Sequence, residues 1–471
     1  MIISFFCFMG LFVAIGLSSL FKSQGTKKDY YLASGSVSPS LVGLSAIATN
    51  NSGYMFIGVI GYIYTTGLAS IWLMFGWIAG DFVGSTFVHS RLRKATEKTG
   101  QVSYPGILCH WNGESNKSLQ RIIAIISLVF LLAYASAQLV AGSKALHVLF
   151  DWPIWAGAIL GSIMVVLYCM AGGIRASIWT DAAQSIVMIF SMGLLLVVAI
   201  SSTGGVSVAI EQLDKIDGFL DWFPTDLVLP GLAGGVLFAV SWMFAGLSVI
   251  GQPHIMVRFM ALNDLKKMRQ ARLWYYSWFL LFYCMTTGIG LLSRIYLGDI
   301  GSFDAELALP TMAQELLPPV LVGLILAGIF AATMSTADSL ILSCSAALTH
   351  DLLPHSIEDT RLLKVGTALI TLAALLWALL NSQSVFSLVI MAWSGLASAF
   401  APLLIFLCLG GRAKEKTYLI AVFVGLASAM LWRYMGWHNA VYEGMAGIIA
   451  GLLVLYTPSL FKRLSMQQSV E

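Results

Sequence analysis

The sequence predicts an all-α polytopic membrane protein of about thirteen transmembrane helices, and three observations carry that expectation. Of its 471 residues, 58% are hydrophobic and only 10% are charged, against roughly 25% charged in soluble proteins. The mean hydropathy of +0.84 is too high for a globule whose surface must meet water. Apolar runs of about 20 residues, enough to cross a hydrocarbon core of about 30 Å at about 1.5 Å per residue, recur from end to end.

In chain order the runs fall at 1–21, 38–65, 67–90, 120–148, 153–171, 177–201, 228–257, 273–297, 318–349, 363–381, 384–409, 418–435 and 440–460. The first lacks the basic n-region and small-residue cleavage site of a secretory signal, so it is read as a retained helix. The second and seventh are unlike the rest. One carries Asn50-Asn51-Ser52-Gly53, the other Ala245-Gly246-Leu247-Ser248 followed by Gly251-Gln252-Pro253. Helix breakers and amides at mid-membrane depth free backbone groups that only protein or a water-filled cavity can satisfy. The two runs lie five apart, the spacing of inverted repeats whose first helices are both broken at a midplane site. The expected organisation is a first helix and loop (1–37), a five-helix repeat (38–201), a loop (202–227), a second repeat (228–409) and two peripheral helices with a tail (410–471).

Charge placement predicts orientation. With the N-terminus outside, the cytoplasmic loops hold 22 of the 26 Lys and Arg residues, leaving Lys144, Lys215, Arg294 and Arg433 outside. That is the positive-inside bias of a plasma-membrane protein with a cytoplasmic C-terminus. A net charge of +3 offers no field suited to nucleic acid. The six cysteines are scattered singly without ligand spacing and read as buried spectators. There is no P-loop, no HExxH and no GxGxxG after a strand, so enzymatic chemistry has no candidate.

The ninth run is the richest chemically. Ala332, Ser335 and Thr336 sit at i, i+3 and i+4, so a carbonyl and two hydroxyls share one helix face. Sodium needs roughly five or six oxygens, and carbonyls released by the break near Ala48 and Asn51 would complete the shell. Asp81, Asp181 and Asp338 are carboxylates deep inside the runs; each costs at least about 2.5–3.5 kcal/mol there unless paired or hydrated, which makes each a functional candidate. Asp81 joins no cluster in the sequence. Tyr54, Tyr134 and Trp242, with the amides Asn50, Gln138 and Gln252, are candidates to line an organic-solute pocket. His254 reads as structural or as a residue of the cytoplasmic mouth.

The motifs then resemble a known family. Asp29-Tyr30-Tyr31-Leu32, Leu44-Ser45-Ala46 with Ser52-Gly53, Gly172-Gly173 with Trp179-Thr180-Asp181, Gly251-Gln252-Pro253-His254 with Arg258-Phe259-Met260, and Met334-Ser335-Thr336 are similar to the sodium/solute symporter family, most of all to its bacterial sodium/proline symporters. The resemblance implies a leucine-transporter-type fold and a sodium site on Ala48, Asn51, Ala332, Ser335 and Thr336. It also implies a second cation or proton site at Asp181, with Asp338 at one of the ninth-run positions where relatives have serines and Ser339 beside it. The solute would lie against Asn50, Ser52, Gly53, Tyr54, Tyr134, Gln138, Trp242, Ala245 and Val249. Departures concern the solute: Asn50 replaces an Asp of the proline carriers, Gly35 an Arg, and Ala245 and Val249 a Trp and a Tyr. The expected activity is sodium-coupled import of a small organic solute, an amino acid or related zwitterion. The alternatives are proton coupling through Asp181 and Asp338, or a transporter-like membrane sensor.

Overall fold

The computed structural model describes residues 1–468 except 114, 299–300, 302–303, 354, 356 and 381–383, and describes no side chain beyond 457. In chain order the helices are α1 (Ile2–Ser18), α2 (Lys27–Leu32), α3 (Pro39–Asn50), α4 (Ile60–Thr66), α5 (Ile71–Thr99), α6 (Tyr104–His110), α7 (Lys117–Phe150), α8 (Ile154–Gly172), α9 (Ile174–Ser202) and α10 (Val206–Asp214). They continue as α11 (Gly231–Leu247), α12 (Pro253–Met260), α13 (Met268–Leu297), α14 (Ala308–Leu316), α15 (Pro319–Ala346), α16 (Thr360–Leu380), α17 (Val385–Cys408), α18 (Glu415–Tyr434) and α19 (Glu443–Gln468). Among the described residues the only β element is an isolated bridge between Val37 and Leu262.

Each apolar run of the sequence coincides with a helix or a broken pair of helices. Among the described residues, however, eleven helical stretches, and not thirteen, are long and apolar enough to qualify as membrane spans. The part of the second run after its break is separated from the third run only by a turn at Gly67, whose φ is +74°, and joins it in one stretch, Tyr54–Thr99. The last run gives a shorter apolar helix, Glu443–Thr457. The breaks appear where the helix breakers predict them. After α3 the chain passes through a π-turn, Tyr54–Val59, before α4; after α11 a 3-10 turn, Ser248–Gly251, and extended Gln252 precede α12. Pro253 opens α12, where its missing N–H costs nothing.

Helix contacts come in matched pairs, as inverted repeats require. The helix after the first break, α5, packs along α11, and its counterpart after the second break, α13, packs along α3. In the same way α7 packs on α17 and α15 on α9, while α16 meets α7 and α8 meets α15. Around this ten-helix core α1 lies against α8, α9 and α15, and α18 and α19 lie against α17. α15 is enclosed almost throughout, with all residues from Ile325 to Leu342 buried. Its polar side chains therefore meet protein and not lipid. The lone cysteines divide: Cys109, Cys169, Cys344 and Cys408 are buried as expected, but Cys7 and Cys284 are exposed on outer helix faces.

One element differs from its expected place. Arg258, counted above with the cytoplasmic loop, belongs to α12 and is fully buried in the core. Its guanidinium is attracted inward by a carboxylate pair described next.

Candidate functional site

The break after α3 frees carbonyls because its amides are satisfied elsewhere. The Gly53 N–H donates to Gln138 Oε1 on α7 at 2.9 Å, and the Tyr54 N–H to Ser52 Oγ at 3.1 Å. Gly53 is required to be glycine: a Cβ there would overlap Thr333 Cγ2 of α15 and sit 3.1 Å from Ala141 Cβ of α7. Across that close approach, Ser335 Oγ lies 3.2 Å from the Ala48 carbonyl and 3.0 Å from the Ala332 carbonyl, its one hydrogen shared between them. Thr336 Oγ1 donates to the Thr49 carbonyl at 2.9 Å. Three carbonyl and two hydroxyl oxygens, none of them charged, thus converge between α3 and α15. Asn51 stands beside them at the C-terminal end of α3, its amide buried and without a protein hydrogen bond. This oxygen set suits a small hard monovalent cation, since the helix C-terminus adds the negative end of its dipole. Thr49 is the member that sequence reasoning missed; its carbonyl takes Thr336 while its hydroxyl reaches Ser339 at 3.2 Å.

One turn further along α15 is a charged cluster. Asp181 of α9 accepts from Ser45 Oγ at 2.6 Å and pairs with Arg258 Nη2 at 3.4 Å. Asp338 accepts from Ser177 Oγ at 2.9 Å and from Ser339 Oγ at 3.1 Å. Arg258 also donates to Ser177 Oγ at 2.7 Å, to Ser339 Oγ, to Ser45 Oγ at 3.3 Å and to the His254 carbonyl at 2.8 Å. The expected pairing of Asp181 with Asp338 is therefore mediated through Ser177 and Arg258. With both acids ionised, two carboxylates and one guanidinium would leave a net single negative charge; Asp181 Oδ1 and Asp338 Oδ2 accept no hydrogen bond from the protein. Arg258 was hidden because it lies at the end of an apolar run beside a basic loop.

The solute candidates form two groups. Tyr134 donates to Ser52 Oγ at 3.2 Å and stands edge-on to His254, ring centroids 5.4 Å apart. Tyr54 packs against Trp77 (5.9 Å), which packs against Trp393 (5.2 Å). Trp393 Nε1 donates to the Ala245 carbonyl at 2.9 Å, and Val249 is buried in the adjoining turn. Several polar atoms around the two breaks make no protein hydrogen bond: Asn50 Oδ1, Tyr54 Oη, Gln138 Nε2, Gln252 Oε1 and both ring nitrogens of His254. So many unpaired buried groups in one region are costly unless a ligand meets them. His254 thus belongs to the core of the molecule and to neither mouth. Trp242 falls in the second group, a cavity of ≈ 220 Å³ beyond Tyr62 and Phe386 whose wall also holds Tyr442, Arg433 and Glu443. Phe386 stacks on both Tyr54 (5.3 Å) and Tyr62 (5.1 Å), forming the layer between that cavity and the α3 break.

Two broken helices related by inverted repeats, with an intact helix that supplies hydroxyls at the first break, define an ion-coupled secondary transporter. Comparison with known proteins gives the particular family. The model of the sodium:solute symporter family matches residues 30–425, and the chain belongs to that family. Its relatives include the high-affinity proline transporter PutP of Bacillus subtilis, 29% identical with 95% of each chain covered. The osmoregulated proline transporter OpuE of Bacillus subtilis is 30% identical, covering 92% of this chain and 90% of the relative. The sodium/proline symporter of Escherichia coli is 28% identical, covering 98% and 93%. Among solved structures, a Na+-coupled sialic acid symporter in a substrate-bound outward-open state has a TM-score of 0.78 at 17% identity, covering 96% of this chain and 95% of that one. Mhp1, a nucleobase-cation-symport-1 family transporter, has a TM-score of 0.57 at 15% identity, covering 92% and 94%. At those identities the structures establish the leucine-transporter-type fold. The chain is thus a multi-pass membrane symporter that couples sodium to a small organic solute, and not an enzyme.

Proposed function

We propose that this symporter imports a proline-like amino acid or related zwitterion, with sodium held by the Ala48 and Ala332 carbonyls, Asn51, and the Ser335 and Thr336 hydroxyls. The observation that carries the cation site is the reach of Ser335 Oγ to the Ala48 carbonyl, 3.2 Å across two repeats. A bound sodium accepts both oxygens as ligands, so binding ties α15 to the broken end of α3. The zwitterion reading is supported by the proline transporters among the relatives and by the free donors and acceptors around the α3 break. The residual negative charge of the Asp181, Asp338 and Arg258 cluster calls for one further monovalent cation, assigned here to a second sodium with Ser339 and Ser177 as neutral ligands. A proton on one carboxylate is the competing assignment.

The chain lies in the plasma membrane with its N-terminus outside and its C-terminus cytoplasmic, the repeats spanning 38–201 and 228–409. Moving one positive charge inward along 100 mV releases about 2.3 kcal/mol, to which the sodium gradient adds. Uptake of labelled L-proline into proteoliposomes tests the reading. Accumulation is expected under an inward sodium gradient and not under an equal potassium gradient. Uptake indifferent to sodium would overturn it; binding without uptake would favour a sensor.

A further inference from the structure

We infer that Asp81, acting through Tyr275, sets the orientation of the Asn50 amide so that its oxygen faces the solute, and that this symporter thereby selects solutes bearing an N–H donor. The inference rests on the proposal that the solute binds at the α3 break, and it assigns a role to a carboxylate that the sodium sites leave unused. Asp81 lies on α5 and is fully buried. Its two oxygens accept from two adjacent phenols of α13: Tyr275 on Oδ2 at 2.5 Å and Tyr276 on Oδ1 at 2.9 Å.

The rest follows from counting protons. The proposed role includes an ionised Asp81: a tyrosine hydroxyl has one hydrogen, and an ionised carboxylate that faces two phenols, one on each oxygen, can only accept from both. With its hydrogen committed to Asp81, Tyr275 has only lone pairs to offer its other partner. That partner is Asn50, whose Nδ2 donates to the Tyr275 hydroxyl at 2.5 Å. The amide cannot flip without setting its oxygen against lone pairs. Asn50 Oδ1 is therefore held as a buried acceptor that no protein group uses. Tyr275 is itself fully buried and Asn50 only 4% exposed.

The opposite polarity is built across the same break. Gln138 Oε1 is taken by the Gly53 N–H, so Gln138 Nε2, which bonds to nothing in the protein, is presented as a donor. Asn50 thus supplies an acceptor for an amine or imine hydrogen, and Gln138 a donor for a carboxylate. Asn50 has no charge of its own to attract an ammonium, so the orientation of its dipole carries the selection. Asp81 and Tyr275 are positioning residues: neither needs to touch the solute.

Competition binding to purified protein in sodium chloride tests this, with L-proline and tetrahydrofuran-2-carboxylate, which has a ring oxygen in place of the N–H, as probes. The native protein is expected to favour proline at least about tenfold, because the analogue leaves a buried acceptor unpaired. Tyr275→Phe and Asp81→Ala should each reduce that preference to about threefold or less, while sodium still raises thermal stability as in the native protein. Asp81→Ala removes the acceptor that holds the Tyr275 hydrogen, which frees the phenol to turn that hydrogen towards Asn50. Tyr276→Phe removes the other bond to Asp81 without redirecting Tyr275, and should keep the preference. Variants that bind sodium and retain the tenfold preference would overturn the inference and leave the proposed function standing. A native protein that bound neither probe would overturn both.

Discussion

Arg258 and Asp181 form an ion pair from which solvent is wholly excluded, Nη2 lying 3.4 Å from Oδ2 with both side chains 0% exposed. The pair joins α12, the second half of one broken helix, to α9, and through Ser45 to α3, the first half of the other. Removing one partner of a buried pair typically costs about 3–5 kcal/mol, because the other charge is left uncompensated. Arg258→Leu should therefore lower the melting temperature sharply or abolish the folded yield, and Asp181→Asn in the same chain should recover part of the loss. An Arg258→Leu protein as stable as the parent would show that the pair is structurally unimportant.

At the proposed sodium site, Ser335→Ala combined with Thr336→Ala removes two oxygen ligands that apolar surroundings cannot replace. The sodium concentration for half-maximal uptake should rise by tenfold or more while the protein remains folded. Sodium titration of uptake checks this, and an unaltered half-saturation would place the ion elsewhere.

Asp338 tests the second cation. Asp338→Asn cancels the residual negative charge of its cluster, so the sodium Hill coefficient should fall towards one at neutral pH. Loss of a proton dependence, with sodium cooperativity unchanged, would assign the site to a proton. If both the cooperativity and the pH profile were unaltered, Asp338 would have only a structural role.

Gly80 tests the packing of the repeats. A Cβ there would overlap the Met243 carbonyl oxygen of α11, a backbone atom that cannot turn aside. Gly80→Ala should push α5 from α11 and lower the melting temperature, by the roughly 1–3 kcal/mol or more that overpacking costs. Gly10→Ala, where nothing lies within 4 Å of the new methyl, should be neutral. Equal thermal stability of the two variants would refute the close approach.

Orientation is open to cysteine labelling in intact cells. Lys267, exposed between α12 and α13, is the suitable position, whereas Arg93 is nearly buried and would label poorly from either side. A Lys267→Cys variant, compared with its parent because Cys284 is also exposed, should gain reaction only with membrane-permeant reagent. Gain of labelling by an impermeant reagent would reverse the assigned topology.

The sequence by itself determined which segments form apolar helices, where two of them break and which α15 face is polar. Each depends on local chemistry: the cost of transferring a side chain, the loss of a helical hydrogen bond, and the i, i+3, i+4 geometry of one helix. Only the tertiary structure decided what the isolated charges meet. Asp81, which joined no cluster in the sequence, finds Tyr275 from 194 positions away, and Arg258, assigned to a loop, is folded inward to Asp181 77 positions away. His254, read as structural or as a residue of the mouth, lies in the core beside Tyr134, while Trp242 lines the separate cavity and not the α3 break. Such partners are unreadable in one dimension because a buried charge or amide is stabilised by whichever helix packs beside it. That neighbour is set by how the two repeats interlock and by nothing in the flanking sequence.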